Sequence, residues 1–154
     1  AVGMVPGLRQ EATALVVNQA TGTRQAAVRG EGAWRDDRRL TTSGRTSLDG
    51  AVVGVSGQPE GEWDWWQFRA LGASALDIGL VADGGLDGFV DLSVDAHGVW
   101  DYLAASLLCT EAGGAIADAN GRELCVLDHA ARRTPVAAAT PELLDVLLER
   151  RRGG

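Results

Sequence analysis

Trp100-Asp101-Tyr102-Leu103-Ala104-Ala105-Ser106-Leu107-Leu108-Cys109-Thr110-Glu111-Ala112-Gly113-Gly114 carries the clearest helical period of the chain. Trp100, Leu103, Leu107, Leu108 and Glu111 fall at three- and four-residue spacing, which predicts a helix over 99–112 with a mostly apolar surface. Gly113-Gly114 stops it. Asp101 falls in the predicted first turn, where the dipole and free N–H groups favour a carboxylate.

Outward from that helix, strand and helix signals alternate. Upstream, 86–92 reads as a strand with Asp87 and Asp91 near its ends, and 73–83 as a helix closed by Gly84-Gly85. Downstream, 115–117 and 124–127 read as two strands joined through Asn120-Gly121, a hairpin signal. Residues 135–139 form another predicted strand. Thr140 is then a good N-cap, with Pro141 at the first position of a helix reaching about Arg150. The arginines 150–152 complement its dipole and are expected to be a solvated terminus.

The first 55 residues are strand-rich. Residues 13–18 and 24–29 flank a turn at 20–23 and predict a hairpin. Residues 33–35 resume a strand before Asp36-Asp37, and 51–55 is a continuous apolar run suited to a strand covered on both faces. Residues 1–10 read as coil. The stretch 57–66 is irregular and holds Trp63, Trp65 and Trp66, which Glu62 and Asp64 flank; a packing or interface patch is expected there. Alternation after residue 70 points to an α/β layered fold. The expected division is a strand-rich region over 1–56, an antiparallel sheet remnant, and a mixed-sheet α/β domain over 57–154.

Composition narrows the function classes. The net charge is −7, and all fourteen basic residues are Arg. An acidic balance argues against a nucleic-acid polymer as partner. No run approaches the roughly 18 apolar residues of a membrane span, and the N-terminus lacks a signal pattern. Cys109 and Cys125 form no Cys-x-x-Cys pair, so they are expected as free thiols in a reducing cytoplasm. The chain starts at Ala1, and a longer natural protein is expected.

The densest polar stretch, Asp91-Leu-Ser-Val-Asp95-Ala-His97-Gly-Val-Trp100-Asp101, leads straight into the central helix. Asp101 reads either as a plain helix-start residue or as a ligand of a hard cation such as Mg²⁺. Asp91, Asp95 and His97 are candidates to join it, though spacing alone does not gather them. His97 is expected to be a hydrogen-bonded loop histidine. Asp77, Asp87 and Glu111 read as polar groups at helix or strand ends.

These segments resemble the inositol monophosphatase family. The Trp100-Asp101 to Gly113-Gly114 run is similar to its second signature. Arg69-Ala-Leu-Gly72-Ala73-Ser74-Ala75-Leu76-Asp77 resembles its Arg-x-x-Gly-Ser-Ala-Ala-Leu-Asp segment. Val81-Ala-Asp-Gly-Gly85-Leu-Asp87-Gly-Phe89, Ala27-Val-Arg-Gly-Glu-Gly-Ala33-Trp34 and Pro135-Val-Ala-Ala-Ala-Thr140 match further segments in the family's order. The resemblance implies an αβαβα sandwich, of which this chain is the C-terminal part. It also implies Mg²⁺-dependent hydrolysis of a small polyol or sugar phosphate by a metal-activated water, in a cytoplasmic homodimer. Carried over, Asp101 is a metal ligand that also touches the substrate. Asp91, Ala73 and Ser74 bind or line the substrate site.

The departures bear on substrate. The family's Glu-Glu pair and Asp-Pro-[Ile/Leu]-Asp-Gly-Thr segment belong upstream of Arg29 and do not occur here. Activity of these residues alone is not expected. Gly72-Ala73-Ser74 permutes the usual order, Leu103 replaces a small residue, the 56–69 linker is short, and three extra residues precede the Trp-Asp pair. Relatives specific for histidinol phosphate or 3′-phosphoadenosine 5′-phosphate remain alternatives, as does a non-catalytic homologue serving as a binding or regulatory subunit.

Overall fold

The computed structural model describes residues 12–153; the coil expected over 1–10 lies outside them. Strands β1 (Thr13–Val17), β2 (Arg24–Val28), β3 (Gly32–Arg35) and β4 (Arg38–Arg39) make an antiparallel sheet in that order. The predicted hairpin is there, with Leu15 opposite Ala26. Its turn is closed by Asn18, whose Oδ1 accepts the N–H groups of Ala20 and Thr21 at 3.0 and 3.3 Å. Alternation of small residues sets the inward face: Ala14, Val16, Ala27 and Ala33 are buried.

A second, mixed sheet holds β5 (Val52–Ser56), β6 (Gln67–Arg69), β7 (Gly88–Asp91), β8 (Ala115–Asp118) and β9 (Pro135–Ala138) in the order β6-β5-β7-β9-β8. β5 runs parallel to β6 and β7, while β9 is antiparallel to both its neighbours. β5 lies before the expected boundary at residue 56, yet its hydrogen bonds belong to this second sheet.

Helices α1 (Ser74–Ala82) and α2 (Leu103–Glu111) pack together between the two sheets, and α3 (Pro141–Gly153) covers the far face of the mixed sheet. The strand period of two divides β7 and β9 between these layers. Phe89 and Ala137 join the core around α1 and α2, while Val90, Val136 and Ala138 join the core under α3. The result is a sheet, helix, sheet, helix sandwich, four of the five expected layers. α2 is buried almost all round because it is the middle layer, which explains its weak amphipathicity.

The closing glycines of α2 have separate reasons. Gly113 takes φ +93 and ends the helix. A Cβ on Gly114 would lie 2.7 Å from the Ala138 carbonyl oxygen and 2.8 Å from Cys109 Sγ, so only glycine fits against β9. Glu111 reaches across to the first sheet and accepts the N–H groups of Gly30 and Gly32 at 2.9 and 3.1 Å.

Four expectations are corrected. The helix predicted over 99–112 opens with a separate 3₁₀ turn, Val99–Asp101, and breaks at Tyr102 (φ −139) before α2 begins. Residues 124–127 are not a strand. Asp118 accepts the N–H groups of Asn120, Arg122 and Thr134 at 3.1, 3.2 and 2.8 Å and pairs with the Arg122 guanidinium, so β9 returns along β8. Leu124 packs on the core instead, its carbonyl accepting the Tyr102 hydroxyl at 2.9 Å. The edge strand β6, only three residues long, lay inside a stretch with no strand signal. The arginines ending α3 are not merely solvated: Arg150 pairs with Asp64, and Arg151 donates into the mixed sheet's loop.

Candidate active site

β5, β6 and β7 are parallel, so their carboxyl ends lie at one edge of the mixed sheet. In such sheets ligand sites form beyond the carboxyl ends of the strands. Asp91 ends β7 there, and the chain leaving β6 turns at Gly72 (φ +79) into the start of α1, which is Ser74.

The structure brings Asp91, His97 and Ser74 together. Asp91 is fully buried. Its Oδ1 accepts the Ser93 N–H at 3.0 Å and the Ser93 hydroxyl, and its Oδ2 lies 2.7 Å from His97 Nδ1. An ionised carboxylate only accepts, so the imidazole proton sits on Nδ1. Nε2 is then left facing the Ser74 hydroxyl, at 2.6 Å. The hydrogen bond to Asp91 raises the His97 pKa against the opposing effect of burial, and the charges of Asp91 and Asp101 add to the rise. The His97 backbone is pinned as well: it exchanges hydrogen bonds with Arg133, His97 donating at 3.2 Å and accepting at 2.9 Å.

Asp101 sits on the 3₁₀ turn, half-buried. Its N–H donates to the Gly98 carbonyl at 2.9 Å and its Oδ2 accepts the Gly98 N–H at 2.9 Å. Its Oδ1 has no hydrogen-bond partner among the described residues. A Cβ on Gly98 would come within 2.3 Å of the Trp100 ring, so any larger residue there would force the ring to move. That ring stacks on His129 at 4.7 Å between centroids and takes the Arg132 guanidinium over its face. Ala73 precedes α1, half-buried, and its carbonyl accepts the N–H groups of Leu76 and Asp77 at 2.8 and 3.0 Å. Asp95 joins a different network: Arg122 bridges it to Asp118, and that hydrogen bond holds the Asp95 carboxyl below its usual range.

Two contributors were not read from the sequence. Ser93 closes an Asx turn on Asp91, a pattern the Asp-x-Ser spacing allows. Arg151 donates to the carbonyls of Asp91 at 2.7 Å and Ser93 at 2.8 Å, a contact across 60 residues that no local signal reveals.

Mg²⁺ prefers octahedral oxygen ligation with several waters. Among the described residues no three His, Cys, Asp or Glu side chains gather to hold a metal ion. Asp101, with one carboxylate oxygen uncommitted, fits as a single ligand and not as a whole site.

Comparison with known proteins agrees with this architecture. The model of the inositol monophosphatase family matches residues 7–153. A fructose-1,6-bisphosphatase/inositol-1-monophosphatase of Methanothermobacter thermautotrophicus is 32% identical over 155 residues, covering 96% of this chain and 55% of the relative. The Nus factor SuhB of Pasteurella multocida is 36% identical over 110 residues, covering 62% of the chain and 40% of the relative. The crystal structure of the extragenic suppressor protein suhB from Bartonella henselae superposes with a TM-score of 0.75 at 26% identity, over 93% of this chain and 57% of that one. The chain thus spans about half the length of the curated relatives it matches. With its two sheets, its sandwiched helices and a matched segment running nearly end to end, the chain belongs to the inositol monophosphatase family.

Proposed function

We propose that this chain is the C-terminal part of a Mg²⁺-dependent phosphomonoesterase acting on a small polyol or sugar phosphate. The observation that carries the reading is Asp101, held on the 3₁₀ turn that follows β7 and His97, with Oδ1 free of hydrogen-bond partners among the described residues. Bound Mg²⁺ would activate a water and stabilise the leaving alkoxide. The protein's own contribution is positional. The Gly98 N–H fixes one oxygen of the Asp101 carboxylate, and Ala73 and Ser74 border the start of α1 at the same edge of the sheet. Further metal carboxylates come from outside these residues in this reading. The assembly would be a cytoplasmic homodimer with the Trp63–Trp66 region as a candidate contact; Trp66 is 67% exposed. A monomer by light scattering would remove that last element.

The test is phosphate release by the full-length gene product from inositol-1-phosphate, histidinol phosphate and 3′-phosphoadenosine 5′-phosphate, with Mg²⁺ and with EDTA. Metal-dependent release that Asp101→Asn lowers on the order of 100-fold supports the reading. No metal-dependent release from any of these, or from other sugar and nucleotide monophosphates, overturns it. A second reading, a non-catalytic binding or regulatory subunit, is favoured by the relative called a Nus factor. It predicts that same absence of release.

A further inference from the structure

A serine hydroxyl is a weak nucleophile at neutral pH. It becomes a strong one when a histidine takes its proton and a buried carboxylate holds that histidine in the right tautomer. Ser74, His97 and Asp91 meet these demands. Ser74 Oγ lies 2.6 Å from His97 Nε2, and His97 Nδ1 lies 2.7 Å from Asp91 Oδ2. Asp91 is fully buried and further fixed by the N–H and hydroxyl of Ser93, so it acts as the orienting anion. Ser74 opens α1 directly after the β6 strand and its turn, a strand, turn, helix setting. The first-turn N–H of Ala75 has no hydrogen-bond partner among the described residues and follows the attacking oxygen in sequence. That is where an oxyanion donor is needed.

The sequence accounts for this arrangement. The family order Gly-Ser-Ala becomes Gly72-Ala73-Ser74 here, which moves the hydroxyl one residue along, from the extended residue before α1 to the first residue of the helix. Three extra residues precede the Trp-Asp pair, and His97 lies within that lengthened segment.

We infer that Ser74, His97 and Asp91 form a nucleophilic triad that hydrolyses small carboxylic esters, an activity separate from the metal-dependent reading. Ser74 Oγ bonds to the ester carbonyl carbon while its proton passes to His97 Nε2. The oxyanion faces the Ala75 N–H. The carbon–oxygen bond to the alcohol breaks, and that alcohol leaves with the proton from Nε2. Water then attacks the acyl-serine, giving its proton to Nε2; the acid departs and Ser74 is restored. Ser74 is only 8% exposed, while Leu71 and Gly72 before it are open to solvent, so a substrate approaches from that side, and a small ester is the probe that reaches the hydroxyl.

The chain itself is tested in EDTA, which silences metal-dependent chemistry. A fluorophosphonate should form one adduct, mapped by peptide mass spectrometry to Ser74. p-Nitrophenyl acetate should show a burst followed by turnover, both lost in Ser74→Ala and lowered at least ~100-fold in His97→Asn. Unreacted Ser74 in folded wild-type protein overturns the triad, whatever the variants do. So does ester hydrolysis by Ser74→Ala at the wild-type rate. Phosphate release by the longer gene product bears on neither outcome.

Discussion

Asp77 shows how a single buried group is set by its neighbours. It lies on α1, 1% exposed, with Oδ1 lacking any hydrogen-bond partner among the described residues. Burial pushes its pKa from 3.8 to about 6, although the Ala73 N–H opposes the shift. The ionised form is therefore disfavoured in the fold. Stability is lower above pH 6 than the protonated group would permit, and recovers as pH falls from about 6 towards 3.8. The rise corresponds to ~3 kcal/mol as an upper figure. Asp77→Asn should raise the urea midpoint at pH 8 and leave it nearly unchanged at pH 4; equal midpoints at pH 8 would refute the assignment. Sequence placed Asp77 correctly as a helix-start carboxylate, but its unmet oxygen depends on β5 and β7 packing against α1, which no local pattern encodes. His97 is a parallel case. It is hydrogen-bonded in its loop as expected, yet its two partners lie six and twenty-three residues away.

Elements were legible where caps and glycines sit at their ends. Thr140 caps α3 by accepting the Leu143 N–H at 3.2 Å, and its hydroxyl also donates to the Arg45 carbonyl at 2.9 Å. Thr140→Ala should cost about 1 kcal/mol by urea denaturation. Gly114→Ala should cost more, about 1–3 kcal/mol, because the added methyl meets β9 backbone and not a movable side-chain end. A change under 0.5 kcal/mol there would show that the two layers separate easily. The errors of reading have the same origin as the successes. Asn120-Gly121 does make a turn, with Gly121 at φ +72, but Asp118 captures the following residues before a strand can form. The Trp-Asp stretch is helical, but Gly98 and Asp101 lock their own 3₁₀ turn, and Tyr102, anchored on Leu124, prevents a continuous helix.

At the scale of the molecule, the layered α/β class could be read from alternating strand and helix signals, and the family from five ordered segments. The order of strands could not, since β9 inserts between β7 and β8 only through long-range pairing. On the proposed reading Asp101 is the one metal carboxylate among the described residues, so this chain by itself should release no phosphate from inositol-1-phosphate with Mg²⁺; release at the rate of the full-length product would mean that the chemistry needs nothing further. Arg151 has a consequence of its own. By gripping the carbonyls of Asp91 and Ser93 from the last turn of α3, it ties the tail of the fold to the loop that bears the relay, like a latch on a hinge. Releasing it with Arg151→Ala should speed amide hydrogen exchange across Leu92–His97 while β5 and β9 stay protected. In the unaltered protein, a pull on the end of α3 reaches Asp91 through this guanidinium as well as through the core beneath the helix.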